Sequence, residues 1–157
     1  MNRLEEIRNI VDNLLNSLSN FEERRGGFNH LYGVSSICSL LALKRGLNVE
    51  ICAVSGMLHD ISSYKNGYTL SHAELSSIEA RKILNETNSF KKKEIDTICH
   101  SIAKHSDKEN IDDVYDELLK DADVLEHYLY NIQFKVNQNE QNRLNGLFKE
   151  LGLPGAI

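Results

Sequence analysis

An imidazole and a carboxylate stand side by side in this chain, at the end of an apolar segment. His59 and Asp60 follow residues 49–58, which are apolar on nearly every side. A segment of that kind is usually a buried central helix. Burying an unpaired carboxylate costs free energy, so Asp60 needs a cation or several hydrogen-bond donors nearby. A divalent metal ion would satisfy both side chains at once, whereas the alternative is an ordinary polar helix end at the surface.

Further histidines and an aspartate recur near predicted helix ends or beside apolar stripes. These side chains are His30, His72, His105 and Asp123. His30 precedes Val34 by one helical turn, so both lie on one face and His30 points toward the core. His105 follows Ile98 and Ile102 at helical spacing and therefore flanks their apolar stripe. His30 and His105 are thus placed where a buried site could use them.

Helical spacing does not place the remaining candidates on a core-facing stripe. His72 lies in the first turn of a predicted helix, and the loop before it leads from the His59–Asp60 pair. Asp123 has apolar neighbours, whereas Asp121 reads as a helix-surface charge. His100 points away from the apolar stripe of its helix. A lone histidine in such a position is more often a hydrogen-bonded structural residue than a ligand, so the number of candidates is what favours a site.

A cluster of neutral imidazoles and carboxylates favours particular metals. These ligands suit Mn²⁺, Fe²⁺, Co²⁺, Zn²⁺ and Ni²⁺, with Mg²⁺ as an alternative. The metal would lower the pKa of a bound water and polarise a substrate oxygen.

Composition excludes several other classes. The chain has 157 residues, 41% of them hydrophobic and 26% charged, which indicates one globular domain with a sizeable core. Three cysteines in apolar segments read as core residues. A net charge of −5 argues against a nucleic-acid polymer as partner. No apolar run is long enough for a membrane span and no signal peptide is evident, so we expect a cytoplasmic protein. A homodimer is left open.

Helical periodicity runs along the chain, and Pro154 is its one proline. Helices are predicted over about 4–18, 28–45, 49–60, 71–85, 91–106, 112–129 and 140–151. Residues 20–27 and 61–70 are predicted to be loops, and Ser71 with Glu74 has the spacing of a capping box. The predicted fold is all-α, a single-domain bundle of about six or seven helices.

The order of the candidate ligands resembles the H…HD…D signature of the HD-domain metal-dependent phosphohydrolases. The resemblance runs from about residue 28 to 131 and includes the segments GMLHD and KDADVLEHYL. It implies one HD-type domain over 1–157, with its core at 28–131, an N-terminal helix in 1–20 and a C-terminal helix in 139–151. It also implies that a metal is held by His30, His59, Asp60 and Asp123, with Asp121 as the fallback for the last ligand.

Some branches of that family hold a second metal with additional histidines, and the Asp of the HD pair bridges the two ions. His72 and His105 resemble those positions, and His100 is a weaker claimant. By this resemblance Asp60 and His105 are the predicted catalytic residues, with His105 or His100 donating a proton to the leaving group. Many members carry a lysine or glutamate shortly after the HD pair, but here residues 61–64 are Ile-Ser-Ser-Tyr. A GYP extension is also missing, so cyclic dinucleotides are not the expected substrate.

The leading functional hypothesis is metal-assisted hydrolysis of a small phosphate ester or anhydride, with a nucleotide as the expected substrate. Candidate phosphate contacts by charge are Lys65, Lys104, Arg24 and Arg25, although each also reads as a surface charge. Two alternatives remain. One is an HD-type di-iron oxygenase, which would use the same ligands, and the other is a noncatalytic metal- or nucleotide-binding module.

Overall fold

The computed structural model describes residues 2–133 and 135–155, and that part of the chain contains helices and no strand. The eight helices in it are α1 (Arg3–Asn16), α2 (Phe21–Arg45), α3 (Val49–Leu58), α4 (Ile61–Asn66), α5 (His72–Thr87), α6 (Lys92–Lys104), α7 (Val114–Tyr130) and α8 (Gln138–Leu151). The predicted all-α fold is therefore confirmed. None of these helices is long and apolar enough to cross a lipid bilayer.

Asparagine side chains cap the N-termini of four of the helices. Asn2, Asn20, Asn48 and Asn137 each accept hydrogen bonds from backbone N–H groups of the first turn that follows. Such caps satisfy donors that have no partner within the helix. At the other end, α2 stops at Gly46, whose φ of 69° is the left-handed conformation that glycine adopts without strain. Short-range signals thus set these five helix boundaries.

Helix α3 lies at the centre of the molecule. Every residue from Ile51 to Leu58 is buried, as the apolar sequence predicts. Helices α1, α2, α6 and α7 all pack against it. One continuous hydrophobic core includes side chains from α1, such as Ile7, and from α8, such as Leu144. The end of α3, where His59 and Asp60 lie, is therefore surrounded by other helices.

A glycine allows α2 to approach α3 closely. A Cβ atom on Gly56 would lie 2.8 Å from the Cα atom of Ser35, which is closer than real Cβ contacts allow. The Ser35 hydroxyl also donates a hydrogen bond of 2.9 Å to the carbonyl of Ala53. This tight crossing lies within about two turns of His30 on α2 and one turn of His59 on α3. It therefore sets the distance between two candidate ligands.

The predicted loop over residues 20–27 is wrong, because α2 already begins at Phe21. The side chain of Asn20 caps the helix by accepting from the N–H groups of Glu22 and Glu23. Gly27 is buried where an added Cβ would lie 2.5 Å from the Leu15 side chain. The glycine thus serves helix packing and not a turn, and tertiary packing outweighs its low helix propensity.

The interval between α3 and α5 also differs from the prediction. Residues 61–66 form the short helix α4 instead of a loop. Ser71 precedes α5 but makes no side-chain capping bond, so the predicted capping box does not form. The N–H of His72 instead donates to the carbonyl of Thr69 at 3.0 Å. Helix α4 packs against α5, and this short connection places His72 near the end of α3.

Candidate metal centre

Four of the predicted ligands converge between α2, α3 and α7. The Nε2 atom of His30 lies 3.0 Å from Nε2 of His59 and 3.4 Å from Asp60 Oδ2. The His59 Nε2 atom lies 3.6 Å from Asp60 Oδ2 and also 3.6 Å from Asp123 Oδ1. His30 and Asp123 are 3.7 Å apart at the corresponding atoms. Ligand atoms spaced in this way can surround one small cation.

The second pair of predicted histidines meets the other oxygen of Asp60. His105 Nε2 lies 3.3 Å and His72 Nε2 3.6 Å from Asp60 Oδ1. Asp60 therefore directs Oδ2 toward His30 and His59, and Oδ1 toward His72 and His105. A single carboxylate placed between two groups of imidazoles can bridge two ions.

Backbone carbonyls fix the orientation of three of the imidazole rings. The Nδ1–H of His59 donates to the carbonyl of Gly56 at 2.7 Å, and His105 donates to Ile102 at the same distance. His72 donates from Nδ1 to Thr69 at 3.1 Å. With the proton on Nδ1, each Nε2 carries a lone pair that points into the site. Such outer hydrogen bonds are the usual way in which proteins orient metal-binding histidines.

A carboxylate, not a backbone carbonyl, orients the imidazole ring of His30. Its Nδ1 atom lies 2.7 Å from Oε2 of Glu126, and this leaves Nε2 facing Nε2 of His59. Two imidazole lone pairs only 3.0 Å apart repel each other unless a cation or a proton lies between them. Burial lowers the pKa of His30, but the carboxylates of Asp60 and Glu126 outweigh that effect and raise it to about 10. The site therefore favours a bound positive charge, either a proton or a metal ion.

Two buried carboxylate oxygens have no hydrogen-bond partner among the residues that the structure describes. They are Oδ1 of Asp60 and Oδ1 of Asp123, the atoms that face the imidazoles. Burial by itself would raise the pKa of the Asp60 carboxyl, but the imidazoles of His59, His105 and His30 hold it well below its usual range. Unpaired buried carboxylate oxygens are costly. A donor set of imidazole nitrogen and carboxylate oxygen fits divalent transition metals, so the residues present fit the metal that the sequence predicts.

A lysine that was not predicted from the sequence also lies at this site. Lys108 donates a hydrogen bond of 2.5 Å to Oδ2 of Asp123 and one of 2.6 Å to the carbonyl of His105. It thereby occupies one oxygen of Asp123 and leaves Oδ1 free to face the histidines. The position of Lys108, three residues after a candidate ligand, gives no signal of its own. The contact depends on how the loop after α6 folds back onto α7.

Two more residues on α7 were missed, and here a signal existed. Glu126 and His127 follow Asp123 by three and four residues, so all three lie on one helical face. His127 stacks on His30 with ring centroids 5.1 Å apart, and its Nε2 lies 3.6 Å from Asp123 Oδ1. Its side chain is 53% exposed, so it stands at the opening of the site.

Several other candidates lie outside the cluster. His100 is exposed and contacts Asp116, on a different surface that it shares with Thr97 and Tyr115. Asp121, the fallback ligand, is held by Arg45 and Arg143.

The predicted phosphate contacts are likewise engaged elsewhere. Lys65 pairs with Glu79, Lys104 with Asp112, and Arg25 with Glu22. Arg24 donates to the carbonyl of Leu18. None of these four residues lines the cleft at the candidate metal centre.

Comparisons with known proteins identify the family and the fold. The family model described as HD domain matches residues 27–128, which is well over half of the chain. The fold is also similar to the crystal structure of a predicted HD superfamily hydrolase from an uncultured Thermotogales bacterium. That match has a TM-score of 0.65 at 19% sequence identity, and covers 96% of this chain and 90% of the other. No curated protein matches the sequence. The chain belongs to the HD-domain family, whose members are generally metal-dependent hydrolases.

Proposed function

We propose that this protein is a metal-dependent phosphohydrolase that acts on a small phosphate ester or nucleotide. One observation carries the proposal: two buried carboxylate oxygens without partners, on Asp60 and Asp123, face a group of imidazole Nε2 atoms. An arrangement that leaves so much negative charge and so many lone pairs unmatched is suited to cations. The exposed side of the same cluster opens into a cleft that could admit a substrate.

The metal-holding residues divide into two groups. His30, His59, Asp60 and Asp123 would hold one ion, whereas His72, His105 and the second oxygen of Asp60 would hold another. When bound, such ions supply a water of lowered pKa and a Lewis acid for a phosphoryl oxygen. The protein supplies the fixed ring orientations, through backbone carbonyls and Glu126, and it buries His59 and His105 almost completely.

The predicted proton-donor role of His105 has less support than its role as a ligand. Its Nδ1–H is used by the carbonyl of Ile102, and its Nε2 faces Asp60. Burial also lowers the pKa of His105, which disfavours the protonated ring that an acid catalyst requires. We therefore assign His105 to the second metal position and leave its catalytic role as a prediction.

A hydrolysis panel tests the proposal directly. Purified protein is stripped with a chelator, reloaded with Mn²⁺, Co²⁺, Fe²⁺ or Ca²⁺, and assayed with phosphate monoesters and with mono-, di- and triphosphate nucleotides. We expect phosphate release that is lost on chelation and restored by the transition metals more than by Ca²⁺, which prefers oxygen ligands. Absence of hydrolysis with every metal, together with iron-dependent dioxygen uptake, would overturn the proposal in favour of an oxygenase.

A further inference from the structure

Two cavities of different character meet at the candidate metal centre. The first, called here the polar cleft, has a volume of about 470 Å³ and is lined by Asp60, His72, His105, Lys108, Asp123 and residues at its rim. The second, called the aromatic cavity, has a volume of about 340 Å³. His127 and Glu140 line both of them, and His30 lies in the wall of the aromatic cavity. The two cavities are therefore adjacent, with His127 and Glu140 at their common boundary.

The polar cleft offers little positive charge beyond the metals. Lys108 is the one lysine or arginine among the described residues that line it, and it is already paired with Asp123. Five carboxylates line the same cleft: Asp60, Asp107, Glu109, Asp123 and Glu140. Two divalent ions and Lys108 would together only offset those carboxylates. Any attraction for a phosphoryl group would therefore come from the metal ions at close range, and the cleft has no other lysine or arginine among the described residues for a polyphosphate chain.

The aromatic cavity has the opposite character. Its lining includes the aromatic or apolar residues Tyr64, Val124, Tyr128, Tyr130 and Val136. The charged residues in the same lining are Glu126, Lys135 and Glu140, which together give no net positive charge. Glu126 is engaged with His30, so its charge is turned toward the metal centre. Cavities of this size and lining suit an apolar or aromatic group, because burying that group removes apolar surface from water.

We infer that the preferred substrate is a phosphate monoester whose leaving group is uncharged and apolar or aromatic. The inference rests on the proposed function and narrows it. The phosphoryl group would lie in the polar cleft, and the leaving group would pass His127 into the aromatic cavity. Substrates with a second phosphate would place uncompensated negative charge against the rim carboxylates Asp107, Glu109 and Glu140.

The first experiment compares benzyl phosphate with methyl phosphate, because both release an uncharged alcohol and differ mainly in apolar surface. We expect kcat/KM to favour benzyl phosphate by about tenfold or more, which is the usual effect of burying a group of that size. A nucleoside triphosphate should be a poorer substrate than either. Equal kcat/KM for the two esters, or a preference for the triphosphate, would overturn the inference.

A matched pair of variants assigns the effect to the aromatic cavity. Tyr130 and Leu129 are neighbours near the end of α7 with similar exposed fractions of 55% and 57%, but only Tyr130 lines the cavity. Tyr130→Ala should bring the ratio of the two kcat/KM values toward one, whereas Leu129→Ala should preserve it. A ratio that survives Tyr130→Ala and also survives Val136→Asp, which places a charge in the same wall, would contradict the assignment.

A binding measurement separates this inference from the proposed function. Benzylphosphonate and methylphosphonate cannot be hydrolysed as esters, and their dissociation constants can be measured by calorimetry on the metal-loaded protein. We expect benzylphosphonate to bind about tenfold more tightly or better, with the advantage lost in Tyr130→Ala. If this holds while no ester is hydrolysed, the cavity assignment stands and the phosphohydrolase proposal fails. If esters are hydrolysed but the two phosphonates bind equally, the phosphohydrolase proposal stands and the cavity assignment fails.

Discussion

Two aspartates on α7, only two residues apart, occupy opposite electrostatic environments. Asp121 receives hydrogen bonds from Arg45 at 2.7 Å and from Arg143 at 3.0 Å, so both of its oxygens have partners. Asp123 is more deeply buried and has one oxygen on Lys108 and the other without a partner. The same residue type on one helix therefore completes an ion-pair network in one case and leaves charge unmatched in the other.

The two environments extend beyond the aspartates. On the Asp121 side, Arg45 also binds Glu150 and Arg143 also binds Glu117, which ties α8 to α2 and α7. Arg143 further donates to the carbonyl of Lys108 at 2.9 Å, and so it supports the loop that carries the lysine of the metal centre. The ion pairs around Asp121 thus hold α8 against α2 and α7, whereas the unpaired ligand atoms around Asp123 are available to bind cations. Four predictions test this distinction.

The largest effect is expected from removing the carboxylate shared by both groups of histidines. Asp60→Ala should release bound metal and reduce hydrolysis by more than about a hundredfold, since even outer partners of a metal site account for up to that factor. Metal content is measured by elemental analysis, and helix content by circular dichroism. Asp121→Ala is the matched control and should retain its metal. If Asp60→Ala keeps the metal stoichiometry of the unmodified protein, the unpaired carboxylate of Asp60 does not bind metal, and the proposed contrast with the Asp121 side is wrong.

The number of ions is tested next. His72→Ala should lower the metal content from about two ions per chain to about one, because His72 belongs only to the second group of ligands. His100→Ala provides the control, since that exposed histidine lies on a different surface. Full occupancy by a single ion in the unmodified protein, with His72→Ala neutral, would show that the site holds one metal.

A smaller effect is expected from the partner of His30. Glu126→Gln removes the negative charge that polarises the His30 ring, and it should weaken metal affinity by about tenfold to a hundredfold. Glu117→Gln makes the same chemical change on the same helix within the ion-pair network, and it should leave metal affinity unaltered. Affinity is measured by competition with a chelator of known strength. Equal losses in the two variants would indicate a general effect of charge on α7.

The smallest effect concerns stability. Arg45→Met should lower the free energy of unfolding by about 0.5–1.5 kcal/mol at neutral pH, because Glu150 loses its arginine partner and Asp121 keeps only Arg143. The hydrogen bond from Arg45 also lowers the pKa of Glu150 below its ordinary 4.5. A lowered folded-state pKa contributes stability above the ordinary value, and that contribution is lost as the pH falls through the lowered one.

The difference in melting temperature between the unmodified protein and Arg45→Met should therefore shrink between pH 7 and about pH 4. Metal content at neutral pH should be the same in both proteins. A difference that stays constant or grows on acidification would show that Arg45 stabilises the fold by some means other than these ion pairs.

The sequence alone predicted the features that depend on residues close together in the chain. The apolar run before His59 predicted the buried central helix, and helical spacing placed His30 and His105 toward the core. Periodicity succeeds there because the direction of a side chain from a helix axis depends only on its position along that helix. The spacing of Asp123, Glu126 and His127 places all three on one face of α7 by the same rule.

Other features were decided by contacts between residues far apart in the chain. Gly27 has the local character of a turn residue, but packing against Leu15 and Tyr64 keeps it helical. Asp121 and Asp123 differ because Arg45 and Arg143 reach one of them, and Lys108 reaches the other, from different elements. No spacing along the chain encodes these contacts. Charge matching and close packing depend on distances in space, and only the folded chain sets those distances.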